Sequence, residues 1–451
     1  MGDEKEDSTL SVKAIKEKYH NWEIRHLWAT RFLEYVLLFV AWFLIFYLIF
    51  SHYSLFNTEA TSARYMLSAL VQSQAAIVAI VVSLTLIAVQ LSASAYSPRV
   101  IRIFRNNPDV WLLLGLYGLS IFYGLLILKT IRDGDLKEII LFNYPIEIHI
   151  ISAYFLGIFS FLMLFRYILS IIDLLKLENI INRLASDITK DALLNSKENP
   201  IQPIMDIVHG SIMKYDFETM RVGLKVVTKA VAGAMINDID LDRKKKNSRH
   251  FCDHLQRVGK LAISKMDEES TAEVIENLGY FGESTAGKTP EDATRQIAWT
   301  IETVGKAATE KGLEKVTWQV ALSFKSFGRS TAKKRLEGAT TQIAFSLGAV
   351  GKAAAEKEGK GYGDAIRQIA WSLETVGRVA TEEELKDATQ QAAKSLAELT
   401  ILSEENVKTT IHGYESILEE KDLESFQKII KIYEQELKEL RAKENKKPES
   451  R

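Results

Sequence analysis

The chain has 451 residues, with 57 Lys and Arg against 58 Asp and Glu. A net charge of -1 provides no global field for nucleic acid or acidic substrates. The single cysteine, Cys252, excludes an intramolecular disulfide and fits a reducing cytosol.

Residues 1–26 are hydrophilic, without the early apolar core of a secretory leader. Four apolar runs follow, at roughly 32–50, 69–91, 110–128 and 148–165. Each is close to the ~20 residues that cross ~30 Å of hydrocarbon. Lys and Arg orient them. Lys5, Lys13, Lys16, Lys18, Arg25 and Arg31 precede the first run, and Arg99, Arg102 and Arg105 follow the second. The other two loops carry only Arg64, Lys129, Arg132 and Lys137. The N-terminus, the second loop and the C-terminal half are therefore expected in the cytoplasm of a multi-pass cell (plasma) membrane protein. Arg166, Asp173 and Lys176 would mark span four emerging as a continuous helix.

Span two differs from the others. Ala75, Ala79 and Ser83 form a small-residue row that admits another helix closely. Ser73, Ala76, Ile80, Ser83, Ile87, Gln90 and Ser94 share a stripe at helical spacing. Polar atoms in hydrocarbon seek partners or water. Ser73, Ala76, Ser83, Gln90 and Ser94 are thus candidates for lining a pore or for a tight helix interface. Ser120 and Gly124 in span three form a small pair that packing explains. Beyond span two, Pro98 disfavours helix at Ser97. Arg99, Arg102 and Arg105, with Val100, Ile101, Ile103 and Phe104, then form an amphipathic segment at the cytoplasmic interface. It lies on lipid headgroups or rings a pore mouth.

The run 83–105 (SLTLIAVQLSASAYSPRVIRIFR) resembles an uncharacterised family of prokaryotic predicted membrane proteins. The residues that carry the resemblance are Ser83, Thr85, Gln90, Leu91, Ser92, Ser94, Ser97, Pro98 and Arg99, and it extends over about 60–130. It implies a four-span integral membrane protein and no activity. The soluble half departs from that family's pattern.

Residues 176–240 have helical periodicity, broken at Asn199 and Pro200, and the charged stretch 242–249 (DRKKKNSR) suits a solvated linker. Then a repeat begins. Gly259, Gly282, Gly305, Gly328 and Gly351 recur every 23 residues, and Gly377 follows after 26. Gln296, Gln319, Gln342, Gln368 and Gln391 keep the same register, with the extra three residues near Gly359, Lys360 and Gly361. Ile297, Ile301, Val304 and Ala308 make a helical face. One helix and a turn per unit, paired antiparallel and stacked, gives an α-solenoid. The glycines would allow close helix approach, and Trp299 and Trp371 are expected to be buried. Phe426, Ile430, Tyr433, Leu437 and Leu440 space a C-terminal seam that caps the array or forms a coiled coil between subunits. The tail 443–451 is expected to be disordered.

Two motifs invite a chemical interpretation. Gly282 to Thr289 (GESTAGKT) matches the phosphate-loop pattern, in which Gly282, Gly287, Lys288 and Thr289 would bind nucleotide. A buried strand should precede it, and residues 276–281 suit one poorly. His250 and His254 lie four apart beside Cys252 and Asp253, two ligands at best, so no metal is expected. Glu147 and His149, at the outer end of span four, suit an interfacial anchor. No nucleophile–base arrangement or catalytic carboxylate pair stands out, and neither enzyme activity nor a cofactor is expected.

The sequence thus predicts an all-α protein, a four-helix transmembrane domain followed by a cytoplasmic α-helical repeat (solenoid-like) domain. The parts are an N-terminal segment 1–31, spans 32–175, a helical connector 176–250, repeats 251–412 and a C-terminal helix with tail 413–451. An oligomeric channel or transport pore, with span two on its axis, fits the stripe. A membrane-anchored scaffold fits the repeats. The expected partners are lipid, further copies of the chain and a cytosolic protein at the repeats, with no nucleic acid.

Overall fold

The computed structural model describes residues 27–53, 60–95, 101–131, 140–141, 144–194, 199–236, 240–357, 362–415 and 420–444. The basic residues up to Arg25, the turn at Ser97, Pro98 and Arg99, the 359–361 insertion and the tail beyond 444 lie outside them. The described residues are helical apart from turns and a two-residue antiparallel ladder, β1 (Ile140–Leu141) with β2 (Tyr144–Pro145). Backbone packing divides the chain into two units after Ser186.

The first unit holds α1 (Leu27–Tyr53), α2 (Ala60–Ala95), α3 (Ile101–Arg105), α4 (Pro108–Thr130), α5 (Ile146–Leu175) and α6 (Leu177–Ser186). By length and composition, α1, α2, α4 and α5 can each cross a membrane. No Gly or Pro interrupts α2, so it starts nine residues before the apolar run and reaches 36 residues. Asn107 caps the start of α4 by accepting the Asp109 N–H at 3.3 Å, with Pro108 in the first turn. Span four does not emerge as one helix. It breaks at Lys176, whose backbone is extended, and Asn179 Nδ2 donates to the freed Asp173 carbonyl at 2.7 Å.

Helices α2, α4 and α5 form the core of this unit, burying Leu67, Leu113, Ile127 and Ile150. Gly157 lets α2 approach α5, because a Cβ there would lie 2.8 Å from Leu70. Helix α1 joins through aromatic rings, with Phe39 and Phe46 edge-on to Phe155 at 5.3 and 5.0 Å. Leu37, Leu44, Leu84, Phe122 and Phe165 face outward, an apolar surface suited to lipid.

The second unit holds α7 (Lys190–Leu194), α8 (Gln202–Met213), α9 (Phe217–Ile236), α10 (Leu241–Ser264), α11 (Glu268–Thr285), α12 (Glu291–Glu310), α13 (Glu314–Lys333), α14 (Glu337–Ala355), α15 (Gly363–Glu382), α16 (Lys386–Leu402), α17 (Glu404–Glu415) and α18 (Glu420–Glu444). From α9 to α16 each helix packs mainly on the one two along, which makes a two-layer solenoid. Ile297, Ile301, Val304 and Ala308 are fully buried, as their spacing predicts.

The repeat glycines work across the same two-helix step. Val304 sits over Gly259, Phe327 over Gly282 and Val376 over Gly328, while at Gly305 the tight neighbour is Val320 of the next helix, with Val350 in ordinary contact. Val304, Phe327 and Val376 each directly precede the glycine of their own helix, so one dipeptide provides both a knob and a hole. A second ladder runs along the helix starts. Glu268 accepts the Lys315 N–H at 2.6 Å, Glu291 that of Ala339 at 2.9 Å and Glu337 that of Asp387 at 3.0 Å. Every carboxylate thus caps the helix two along.

The structure departs from three expectations. The stacked array begins before residue 251, since α9 already packs on α11. The 242–249 stretch is no linker but the first two turns of α10. There the Lys244 stem is buried and its Nζ donates to the Lys288 carbonyl at 2.9 Å, which stabilises helix over loop. Trp299 is 47% exposed, because it lies on the outer face of α12, away from Ile297 and Ile301. Trp371 is half-buried, and the Lys325 ammonium lies 3.0 Å from its ring centroid. The C-terminal seam caps the array. Of that seam Phe426 and Tyr433 are buried, whereas Ile430, Leu437 and Leu440 are half-buried; Ile429, outside it, is buried over Gly377, and the Tyr433 hydroxyl meets Thr400 at 3.2 Å.

Several turns end in a left-handed residue. Glu384 has φ 61°, and the Leu385 N–H reaches back to Ala380 O at 2.8 Å, a Schellman closure. A side chain is strained there, so Glu384→Gly should raise stability by roughly 0.5–1 kcal/mol. Thermal unfolding followed by circular dichroism would measure it, and a drop would contradict the assignment.

Candidate functional site

Helix α2 has two opposed faces. Leu67, Val71, Gln74, Val81, Thr85, Ala88 and Ser92 turn into the bundle. Ser73, Ala76, Ile80, Ser83, Ile87, Gln90 and Ser94 all turn outward, as do Ala75 and Ala79. Within the protomer, then, the stripe meets no other span among the described residues. Its hydroxyls bond their own helix: Ser73 to Leu70 O at 2.8 Å, Ser83 to Ala79 O at 2.8 Å and Ser94 to Leu91 O at 3.0 Å. Such bonding lowers the cost of serine in hydrocarbon. Beyond the helix, Phe104 of α3 is buried and Arg105 is exposed, its carbonyl accepting from Trp111 Nε1 at 2.9 Å.

The bundle interior is more polar than the run lengths suggest. Buried Gln74 and Ser120 exchange hydrogen bonds of 2.8 and 3.2 Å between α2 and α4. Tyr123 and His149 Nδ1 meet at 2.8 Å. Thr85 donates to Val81 O, which leaves the Tyr167 hydroxyl to donate to Thr85. At one end, fully buried Asp109 accepts from Ser170, and Arg31 Nε lies 3.8 Å away. Next to it, Glu34 pairs with Arg31 at 2.8 Å and Arg166 at 2.9 Å. Gln74 is not distinguished by the sequence, because its neighbour Ser73 belongs to the more conspicuous outer stripe. Arg31, Asp109 and Arg166 resembled ordinary flanking charges.

Residues 25–221 match the family described as Predicted membrane protein (DUF2254). The DUF2254 match covers all four candidate spans and ends inside α9. No curated protein matches the chain. A solved circular tandem repeat protein with novel repeat topology and enhanced subunit contact surfaces aligns with 85% of this chain and 100% of its own, at 11% identity and a TM-score of 0.36.

The phosphate-loop sequence lies outside the DUF2254 match. Gly282 to Thr285 form the end of α11, which is a helix where the motif needs a strand. The N–H groups of Lys288 and Thr289, which would cradle phosphate, both bond Thr285 O, at 2.9 and 3.1 Å. Gly282 is packed under Phe327, and Gly287 provides the φ of 71° that ends the helix. Thr289 is buried and bonds Thr285 O. Helix-end carbonyls converge here, and Lys334 Nζ answers them by donating to Ala286 O at 2.6 Å. The four residues therefore do not assemble the motif's anion cradle.

His250 and His254 both turn Nε2 toward Asn199 Nδ2, at 2.9 and 3.2 Å. Burial, with His250 beside it, pushes His254 down to about 4. Cys252 is buried and its thiol is pushed up to about 12, mainly by burial, so it is a poor nucleophile. Among the described residues no cluster of three or more His, Cys, Asp and Glu side chains could hold a metal.

Proposed function

We propose that the protein is an oligomeric channel or transport pore of the cell membrane, with both termini cytoplasmic and the repeats serving as its assembly or gating domain. The observation that carries this is the outer face of α2, a polar and small-residue stripe turned away from its own bundle. In hydrocarbon such a face calls for another copy of the chain or for water. Four spans with few central charges do not suffice for a pore alone, so the axis requires several protomers. On this reading the partners are lipid and further copies, and no catalytic chemistry is involved.

Ser83→Leu or Gln90→Leu should slow ion flux through reconstituted liposomes by about tenfold or more, equivalent to ~1.4 kcal/mol at the constriction. Unchanged flux would reject the stripe as lining, and a clean monomer in detergent would remove the pore. A second reading, a membrane-anchored scaffold for a cytosolic protein, is favoured by the repeats. Phe345 is 52% exposed beside a groove lined by Glu337, Thr341, Gln342, Asp387 and Gln391.

A further inference from the structure

We propose that the interior of each protomer's span bundle is a proton path running from Asp109 at one end to His149 at the other. Gln74, Thr85, Tyr117, Ser120, Tyr123, Tyr167 and Ser170 do not cluster at a single depth. They form successive levels on the inward faces of α2, α4 and α5. Asp109 and Ser170 come first, then Tyr167 with Thr85, then Tyr117, then Gln74 with Ser120, and last Tyr123 with His149. From His149 to Ser170 along α5 is 21 residues, about 31 Å of helix, close to the ~30 Å hydrocarbon thickness.

Unmet polar atoms lie at the Asp109 end of this line and at Tyr117. The hydroxyls of Tyr35 and Tyr117, Asn107 Nδ2 and Asp109 Oδ1 are buried and have no hydrogen-bond partner among the described residues. Tyr117, 1% exposed, lies about one turn before Ser120 on α4, on the side toward Asp109. A buried hydroxyl without a protein partner calls for internal water. Water there joins two hydrogen-bonded pairs that the side chains alone leave apart.

The two ends suit proton exchange. Asp109 is a carboxylate faced by Arg31 and Tyr35 of α1 and by Tyr167 and Ser170 of α5, with the Glu34 and Arg166 pair adjacent. His149 lies on the first turns of α5, where Glu147 is its acidic neighbour. A proton taken up by Asp109 passes by hydroxyl and water relay, each group accepting one proton and releasing another, and leaves from the His149 imidazole. The net change is one proton moved down its electrochemical gradient, with no bond altered. Ionisable residues within spans commonly mark such relays.

The path is internal to one protomer and does not depend on the oligomeric axis. The test uses the full chain in liposomes containing a pH-sensitive dye, with a potassium diffusion potential set by valinomycin. Wild-type protein is expected to carry protons well above protein-free liposomes. Asp109→Asn should abolish the flux. Tyr117→Phe, which keeps the ring and the packing, should slow it roughly tenfold, the rate equivalent of one hydrogen-bond link. Wild-type flux equal to empty liposomes, or a Tyr117→Phe protein of wild-type thermal stability conducting at the wild-type rate, overturns the path. A monomer that conducts protons keeps it while removing the oligomeric pore. An oligomer indifferent to Tyr117→Phe does the reverse.

Discussion

Leucine in place of Gly282 should destabilise the repeat unit by about 3 kcal/mol or more. The glycine sits in α11 with the Phe327 ring directly over it. A Cβ there would lie 2.7 Å from Phe327 Cζ and 2.8 Å from both Cε atoms. A phenylalanine ring cannot fold out of the way as the end of a long chain does, and Phe327 is itself fully buried. Relief therefore requires α11 and α13 to separate, which loosens the capping contact from Glu268 to Lys315 as well. For a unit of this size the melting temperature should fall by about 6 °C or more. Gly233 is the counterpart, an exposed glycine of α9 where an added Cβ would meet nothing within 4 Å. Gly233→Ala should raise stability by about 0.5–1 kcal/mol through helix propensity alone. Equal effects at the two positions would refute the knob-and-hole ladder.

The repeat unit should also lose stability between pH 5 and pH 7 because of Glu374. This carboxyl is 2% exposed, and burial pushes it up to about 7 despite Arg378, Thr375 and Lys325 nearby. Arg378 Nε lies 3.4 Å from Glu374 Oε1, an ion pair without hydrogen-bond geometry, and the same guanidinium also serves Glu382 and Asp422. The folded value lies above the unfolded one, near 4.5. The stabilisation is therefore complete below about pH 4.5 and is lost as pH climbs through about 7, a span of roughly 3 kcal/mol. Lys325 is pushed down to about 8, mainly by burial, so its own titration lies above this window. Denaturant midpoints at pH 5 and pH 7 should differ in the wild type and converge in Glu374→Gln. A wild-type profile that is flat or rises with pH would show that Glu374 ionises without penalty.

What the sequence revealed follows the physics of repetition. A glycine that must admit a neighbour's side chain cannot vary, so Gly259 to Gly377 recur visibly, and the face of Ile297, Ile301, Val304 and Ala308 follows from helical spacing. The partner of each glycine was not legible, since a period says nothing about which neighbouring helix provides the knob. Trp299 was misjudged because a two-layer array leaves one face of each helix outside, and residue type alone does not reveal which. In the spans, hydropathy located the helices and the Ser83 to Ser94 stripe, but which face turns inward depends on tertiary packing. Gln74, Asp109 and Tyr117 are not legible as interior groups for that reason. The phosphate-loop pattern matched in letters, yet Gly287 ends a helix, and only backbone geometry distinguishes a nest of N–H groups from a row of carbonyls.

Helix α2 is about 54 Å long by its 36 residues, far more than a bilayer's oily interior accommodates at ordinary tilts. Its apolar stretch starts near residue 69, and the turns before it carry Arg64, whose Nη2 grips the Ile131 carbonyl at 2.7 Å. The two or so turns before the apolar run are packed into the bundle, with Ala63 and Leu67 against Ile127, Ile131 and Ile150. With neither Gly nor Pro in it, α2 moves as one unbroken rod, so a displacement of its first turns is carried to its far end.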